Sequence, residues 1–232
     1  MKRPIVLSAM AAIVITVTML GGAGSASTAS RKADVALARK ALVVLSDFPS
    51  GWTTSPYSNS GSSPGLKQIA SCLHVPVSVV NYNAPEADSP YFNETALNLQ
   101  VQDSVDVFPS VKIATQQFNL LSGKSLGCVS EVFNSPAVKA MLTREIGKGA
   151  KVGTITASAL PSPAPDNESN AFLLRVPGTY RGVTLTVEIE TVTIMAKSKT
   201  EGAQLTFNFS SFSKIPSTLI AHLEAVTVER LG

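Results

Sequence analysis

Two cysteines, two histidines and one tryptophan are all that the 232 residues hold of the side chains most used for redox, acid–base and ring-stacking chemistry. With His74 two residues after Cys72, the thiols and one imidazole supply three metal ligands and no obvious fourth, a poor basis for structural zinc. Charge is scarce as well, at 15% of residues. Of the 19 basic residues, Lys2 and Arg3 lie in the N-terminal leader described below, which leaves 17 against 16 acidic ones. Such a balance lacks the basic stripe that releases counterions from phosphates, so a nucleic-acid partner is excluded, and a polybasic membrane-surface role is weakened. No signature names a reaction or a cofactor, and none is assigned.

What is present begins with an address. Met1-Lys2-Arg3 leads into the apolar stretch Ile5 to Leu20 and then into small residues from Gly21 to Ser30, the three-part layout of a secretory signal peptide. The apolar stretch contains Ser8, Thr16 and Thr18 and falls short of the roughly 20 residues that span a bilayer. Cleavage is expected between about Ala26 and Ala29, giving a leader over 1–29, one domain over 30–232 and no stable membrane span afterwards. The leader has no cysteine to acylate, which excludes a lipoprotein. Outside the cytoplasm, Cys72 and Cys128 read first as a disulfide.

Apolar residues from Val35 to Leu45 follow helical spacing and stop at Ser46-Asp47-Phe48-Pro49-Ser50-Gly51. From Phe48 to about Asn93 the chain is irregular apart from a short helical candidate, Leu66 to Leu73, yet it carries Trp52, Tyr57, Tyr82 and Tyr91. Strand alternation starts at Leu97, Leu99 and Val101, where Asp103 interrupts the apolar row; either a bulge lies at Asp103 and Ser104, the simpler reading, or Asp103 has a specific partner. Helices are expected after Pro109, near Cys128 and after Ser135-Pro136, the last with a side-chain cap. Alternation around Ile155, Phe172, Val183 to Ile194 and Leu205 to Phe209 then marks an antiparallel meander, with a phase flip after Ile189 that suggests a bulge near Glu190 and Thr191. A last helix follows Pro216. The fold class is α+β: an antiparallel sheet of about five strands covered on one face by helices.

The chemical candidates are few. Gly61-Ser62-Ser63-Pro64-Gly65 has the spacing of a nucleophile elbow, but no strand precedes it and Pro64 removes the amide an oxyanion hole needs. His222 sits at the edge of an apolar helical face, where a structural imidazole is the commoner finding. Glu188 and Glu190 lie two apart on a strand, a spacing that glycoside hydrolysis can use and that an outward polar row also explains. Rows of Asn98, Gln100 and Gln102, of Thr184 and Thr186, and of Gln204, Thr206 and Asn208 would make a sheet face of amides and hydroxyls, fit for a glycan or simply solvated. Trp52, Tyr57, Tyr82 and Tyr91 are the best ligand candidates, as walls of a cleft apolar inside and wet at its mouth; their alternative is a satellite core under a long loop.

Leu45-Ser46-Asp47-Phe48-Pro49-Ser50-Gly51-Trp52, and Val107-Phe108-Pro109-Ser110 followed by a helix and Cys128, resemble segments of exported actinobacterial sensor-like domains. Those domains include ectodomains of mycobacterial receptor serine/threonine kinases and related envelope lipoproteins. This chain departs from them in having one cysteine pair where the kinase ectodomains have two, no lipobox and no kinase. The resemblance implies a non-catalytic α+β domain that binds a small molecule, glycan or envelope protein, and it transfers no site residues. Two further classes stay open: a secreted hydrolase using Asp103, Glu188 or Glu190, and a passive surface protein.

Overall fold

The computed structural model describes residues 28–57, 65–80, 82–120, 125–161, 168–197, 202–212 and 215–231. The expected leader lies outside them up to residue 27, its last two residues, Thr28 and Ala29, opening the first helix, and most of the elbow-like Gly61 to Gly65 segment lies outside them as well. In chain order the elements are α1 (Thr28–Ala41), β1 (Thr53–Ser55), α2 (Leu66–Cys72), α3 (Val77–Val80), β2 (Glu86–Asp88), β3 (Tyr91–Glu94) and β4 (Leu99–Phe108). There follow α4 (Val111–Leu120), α5 (Ser125–Phe133), α6 (Pro136–Ile146), β5 (Lys151–Val152), β6 (Thr156–Leu160), β7 (Glu168–Tyr180), β8 (Val183–Lys197), β9 (Gly202–Ser211) and α7 (Ser217–Leu231). The sheet is wholly antiparallel and has nine strands rather than about five, in the order β1-β3-β4-β9-β8-β7-β5, with β2 also on β4 and β6 also on β7. The extra strands are mostly short pieces of the stretch that read as irregular.

Helices cover both faces of this sheet, not one. On the first face Val101 and Val105 of β4, Leu205, Phe207 and Phe209 of β9, and Val192 and Ile194 of β8 pack with Ala38 and Ala41 of α1 and Ile220 and Leu223 of α7. On the second, Phe172, Leu174 and Val176 of β7 and Val187 and Ile189 of β8 pack with Val129 and Val132 of α5 and Leu142 and Ile146 of α6. This arrangement removes the bulge expected near Glu190 and Thr191. The β8 register runs unbroken against both neighbours, from Glu188↔Ser211 to Lys197↔Gly202 on β9 and throughout on β7. The apolar phase flips because one end of β8 serves the second core and the other end the first.

Asp103 is likewise settled by its surroundings. β4 pairs continuously with β9 through Asp103↔Phe207, so β4 has no bulge. The irregularity is on the neighbouring strand: from Asp88 to Phe92 the chain takes four steps while its partner goes from Ser104 to Val101 in three. Ser89 fills the gap, donating its amide to the Asp103 carbonyl and accepting the Asp103 amide on its hydroxyl at 3.0 Å. The Asp103 side chain points to the first face and accepts the Val43 amide at 3.2 Å. That bond explains why α1 ends at Ala41 although Leu42, Val44 and Leu45 continue its apolar spacing: a helical Val43 amide would be spent on residue 39.

Several local expectations hold. Ser135 caps α6 by accepting from Val138, Pro136 opens the helix, and Gly147 closes it at φ 123°. Cys72 and Cys128 form the disulfide, their Cα atoms 5.7 Å apart, joining α2 to α5. α4 crosses the second face close to β9, where a Cβ built on Gly202 would stand 2.3 Å from Cβ of Ala114. Because Ala114 is fully buried and has no torsion to rotate away, Gly202→Ala must push α4 off the sheet, at a cost of about 1–3 kcal/mol. Urea unfolding checks this, and an unchanged midpoint would show that α4 is not seated as described.

Candidate functional site

A 3-10 turn at Leu45–Asp47 follows α1, and its geometry is held by one carboxylate. Asp47 Oδ2 accepts the Val44 amide at 2.7 Å and Arg230 Nη1 at 2.8 Å, while Oδ1 accepts Arg230 Nη2 at 2.8 Å. Arg230 also donates to the Leu42 carbonyl at 2.7 Å, so the end of α7 is tied to the turn by a fork that Lys could not reproduce. About two turns earlier on α7, His222 Nε2 donates to the Asp47 carbonyl at 2.9 Å, which assigns the proton to that nitrogen when the ring is neutral.

After the turn, Phe48 enters the first core and stacks on Phe92 at 4.4 Å and against Trp52 at 4.6 Å. Trp52 keeps 9% of its surface exposed. Across from it the β3–β4 turn is shaped by Glu94, which accepts the Ala96 and Leu97 amides, and by Asn98 at φ 50°. This turn lifts Leu97 outward until it is 48% exposed. Between these parts lies an open groove of about 470 Å³ lined by Ser46, Asp47, Phe48, Pro49, Trp52, Leu97, Pro216, Thr218, Leu219 and His222. Its walls are chiefly apolar, and Val44 and Leu45, on the same turn, add exposed aliphatic surface. The groove's one carboxylate, Asp47, has both oxygens engaged, and His222 meets Asp47 through the backbone and not the carboxylate.

The four aromatic candidates do not share this groove. Trp52 lines it. Tyr57 and Tyr91 meet edge to face at 5.2 Å on the opposite face of the sheet, and Tyr82 packs on Phe108 at 5.7 Å in a third cluster with Ala114 and Phe118. The chain's ring-bearing segment winds around the edge of the sheet, so residues near in sequence end on different faces. Cys72 and Cys128 are spent on the disulfide, which leaves His74 no thiolate companions. Among the described residues no group of three or more His, Cys, Asp and Glu is arranged to hold a metal.

The amide rows also fall differently from expectation. Asn98 lies in a turn, and Thr184 and Thr186 are exposed on the first face. Gln100, Gln102, Gln204 and Asn208 do share the second face, joined there by Thr191 and Thr193, but they are buried, not solvated. A ladder crosses the strands: Thr191 donates to Asn208 at 3.1 Å, Asn208 to Gln102 at 3.3 Å, and Gln102 to Asp88 at 3.3 Å. Beside it Glu86 is the register partner of Asp106, which is in turn the partner of Gln204. Burial, and then the charge of Asp88, pushes Glu86 up to about 7, and burial followed by Glu86 and Asp88 moves Asp106 well upward. Burial also carries Asp88 to about 6, against the opposing bond from Gln102. Glu86 Oε1, Gln100 Oε1 and Gln204 Oε1 are buried there without a hydrogen-bond partner, and a carboxyl that keeps its proton has an O–H to donate. The amides of this row are buried, whereas Glu86, Asp88 and Asp106 at its edge are half-buried.

Of the carboxylates considered for hydrolysis, Asp103 is fully buried, Glu188 pairs with Arg175 at 2.9 Å, and Glu190 is half-buried on β8. No family model matches the sequence, and no curated protein matches it. The chain is similar in structure to LpqN, described as involved in cell envelope biogenesis of Mycobacterium tuberculosis, at 12% identity over 77% of this chain and 76% of that one, with a TM-score of 0.33. At that TM-score the likeness says nothing about ligand or activity.

Proposed function

We propose that this protein is an exported, non-catalytic binding module of the cell envelope or extracellular space, and that the groove beside Trp52 takes a small apolar or amphipathic molecule. The observation that supports it most directly is the exposure of Leu97 in the lining, shared with Trp52, of an apolar groove of about 470 Å³, a size within the usual range for small-molecule sites. Leaving a leucine so exposed is ordinary by itself; placing it on a turn braced by Glu94, in the groove that Trp52 also lines, is what a ligand wall requires. Ser46, Thr218 and His222 at the rim supply hydrogen bonds to a polar head. A non-catalytic reading fits an Asp47 whose carboxylate is fully committed to Arg230 and Val44.

A second reading, protein contact, is favoured by the neighbouring exposed aliphatics Val44 and Leu45, 47% and 43% exposed. The sole tryptophan makes the test direct. Titration with the neutral probe N-phenyl-1-naphthylamine should quench Trp52 saturably, and Leu97→Glu should weaken that binding at least tenfold with an unchanged far-UV spectrum. Trp52 emission indifferent to the probe would sink the small-ligand reading.

A further inference from the structure

On the second face of the sheet, three strands bring oxygen acceptors into one row. Glu86 of β2 is the register partner of Asp106 of β4, which is the partner of Gln204 of β9, and Asp88 stands two residues after Glu86 on the same side. Glu86, Asp88 and Asp106 are half-buried, and among the described residues none of them has an ion pair with a lysine or arginine. Gln204 is 5% exposed, and its Oε1 is buried without a hydrogen-bond partner, as is Oε1 of Glu86. Carboxylates without a positive partner are costly in such a place, and a bare amide oxygen adds to the cost. One side of the row is reachable, because among the described strands β2 pairs only with β4.

Aromatic rings stand at both ends of these acids. Phe108, two residues after Asp106 on β4, packs against Tyr82 at 5.7 Å, and Tyr91 of β3 shares the second face with Tyr57 at 5.2 Å. Burial, and then the charge of Asp88, raises the Tyr91 hydroxyl, so that ring lies within the field of the acidic row. Acid in the middle and half-buried tyrosine at the ends suit an organic cation. Side chains of such a row start about 5 Å apart. A metal ion needs its oxygens within about 2.6 Å of itself, and among the described residues no group of three carboxyls converges in that way. A guanidinium instead spreads five N–H donors over a plane and meets acceptors on adjacent strands at once, where an ammonium is a single point.

We propose that Glu86, Asp106 and Gln204, with Asp88 beside them, form a binding site for a guanidinium group that enters over β2 between Tyr82 and Tyr91. Its donors meet Glu86 Oε1 and Gln204 Oε1, two oxygens that folding leaves bare, and the Asp106 carboxylate between them. Gln102 donates to Asp88 at 3.3 Å and accepts from Asn208 at 3.3 Å, which ties the acidic edge to the buried amides before any ligand arrives. Burial raises Asp88 to about 6 and, with the charge of Asp88, Glu86 to about 7, so both are largely ionised at pH 8 and a positive group is then most needed. The site lies on the opposite face of the sheet from the Trp52 groove and does not depend on it.

The full chain is titrated calorimetrically at pH 8 with ethylguanidinium, and with ethylammonium as the control of equal charge. Ethylguanidinium should bind saturably with a dissociation constant of about 5 mM or below, and ethylammonium at least fivefold more weakly. The side-chain amide resonances of Gln204 should shift with ethylguanidinium and stay in place with ethylammonium. Glu86→Gln should weaken binding at least tenfold, whereas Leu97→Glu, in the groove on the other face, should leave it within twofold. N-acetylarginine methylamide separates the sources: affinity equal to or above that of ethylguanidinium points to an arginine of a partner chain, and a tenfold loss points to a free small molecule. No saturation by about 20 mM, equal affinity for the two cations, or a Glu86→Gln chain that binds like the wild type overturns the site. Should Glu86→Gln fail to fold, Asp106→Asn carries the same comparison.

Discussion

Raising the pH from 5 to 8.5 is expected to destabilise this protein by several kcal/mol. The cause is a set of carboxyls that folding raises: Glu86, Asp103 and Glu224 to about 7, Asp88 to about 6, and Asp106 also upward. In each, burial is the leading cause. The unfolded chain releases these protons near pH 4, whereas in the folded chain Glu86, Asp88, Asp103 and Glu224 keep theirs until about pH 6 to 7, so within that window the folded state binds more protons. Their stabilising contribution is therefore complete below about pH 4 and is lost as the pH climbs through the folded values.

Asp103 shows the scale of the effect. It is fully buried and opposite Phe207, and the bonds from Ser89 and Val43 only partly offset its desolvation. Its rise from an ordinary 3.8 to about 7 corresponds to about 4 kcal/mol between the fully protonated and fully ionised limits. Asp103→Asn, which keeps an oxygen for the Val43 amide, should remove much of the slope. Thermal or urea unfolding at pH 4 to 9 measures both claims. Stability that is flat or rises between pH 5 and 8 would contradict the enclosed carboxyls.

Removing the disulfide should have an effect of similar size. Cys72 and Cys128 are 56 residues apart in sequence, and closing that loop restricts the unfolded chain by about 4 kcal/mol in the chain-entropy account. The bridge reaches into packed structure at both ends. On α2, Ile69 and Ala70 are buried in the core that Val129 and Val132 of α5 also build. A Cβ on Gly65 would lie 2.5 Å from Val132, so the start of α2 is pressed directly on α5. Cys72→Ser with Cys128→Ser should lower the melting temperature by roughly 8–16 °C, with α2 and α3 losing exchange protection before β7 to β9. A loss below 1 kcal/mol would mean that α2 is held by packing alone.

How much could be read in advance depended on whether a feature was periodic. Strands β4 and β6 to β9, the cap at Ser135, the helix after Pro216 and the disulfide all follow from local patterns in a chain that alternates apolar and polar residues or offers only one cysteine pair. β1, β2 and β3 were not legible, since strands of three or four residues are too short for a period to show. The groove was half legible. Ser46 to Trp52 stood out by composition, but Leu97, Leu219 and His222 read as ordinary members of a strand start and a helix, and nothing local marks them as neighbours of Trp52.

Composition and spacing thus determined on their own the α+β class, the antiparallel meander and the sulfur bridge, because a two-residue period and a single possible pairing are local properties of the chain. Only the tertiary structure decided which side of the sheet each row faces and what covers it. Gln102 and Asn208 alternate as solvated residues do, yet they are buried, and the phase change in β8 means service to two cores and not a bulge. A strand's pattern records that its two sides differ; whether the polar side meets water or a second layer of helices depends on elements far away in sequence.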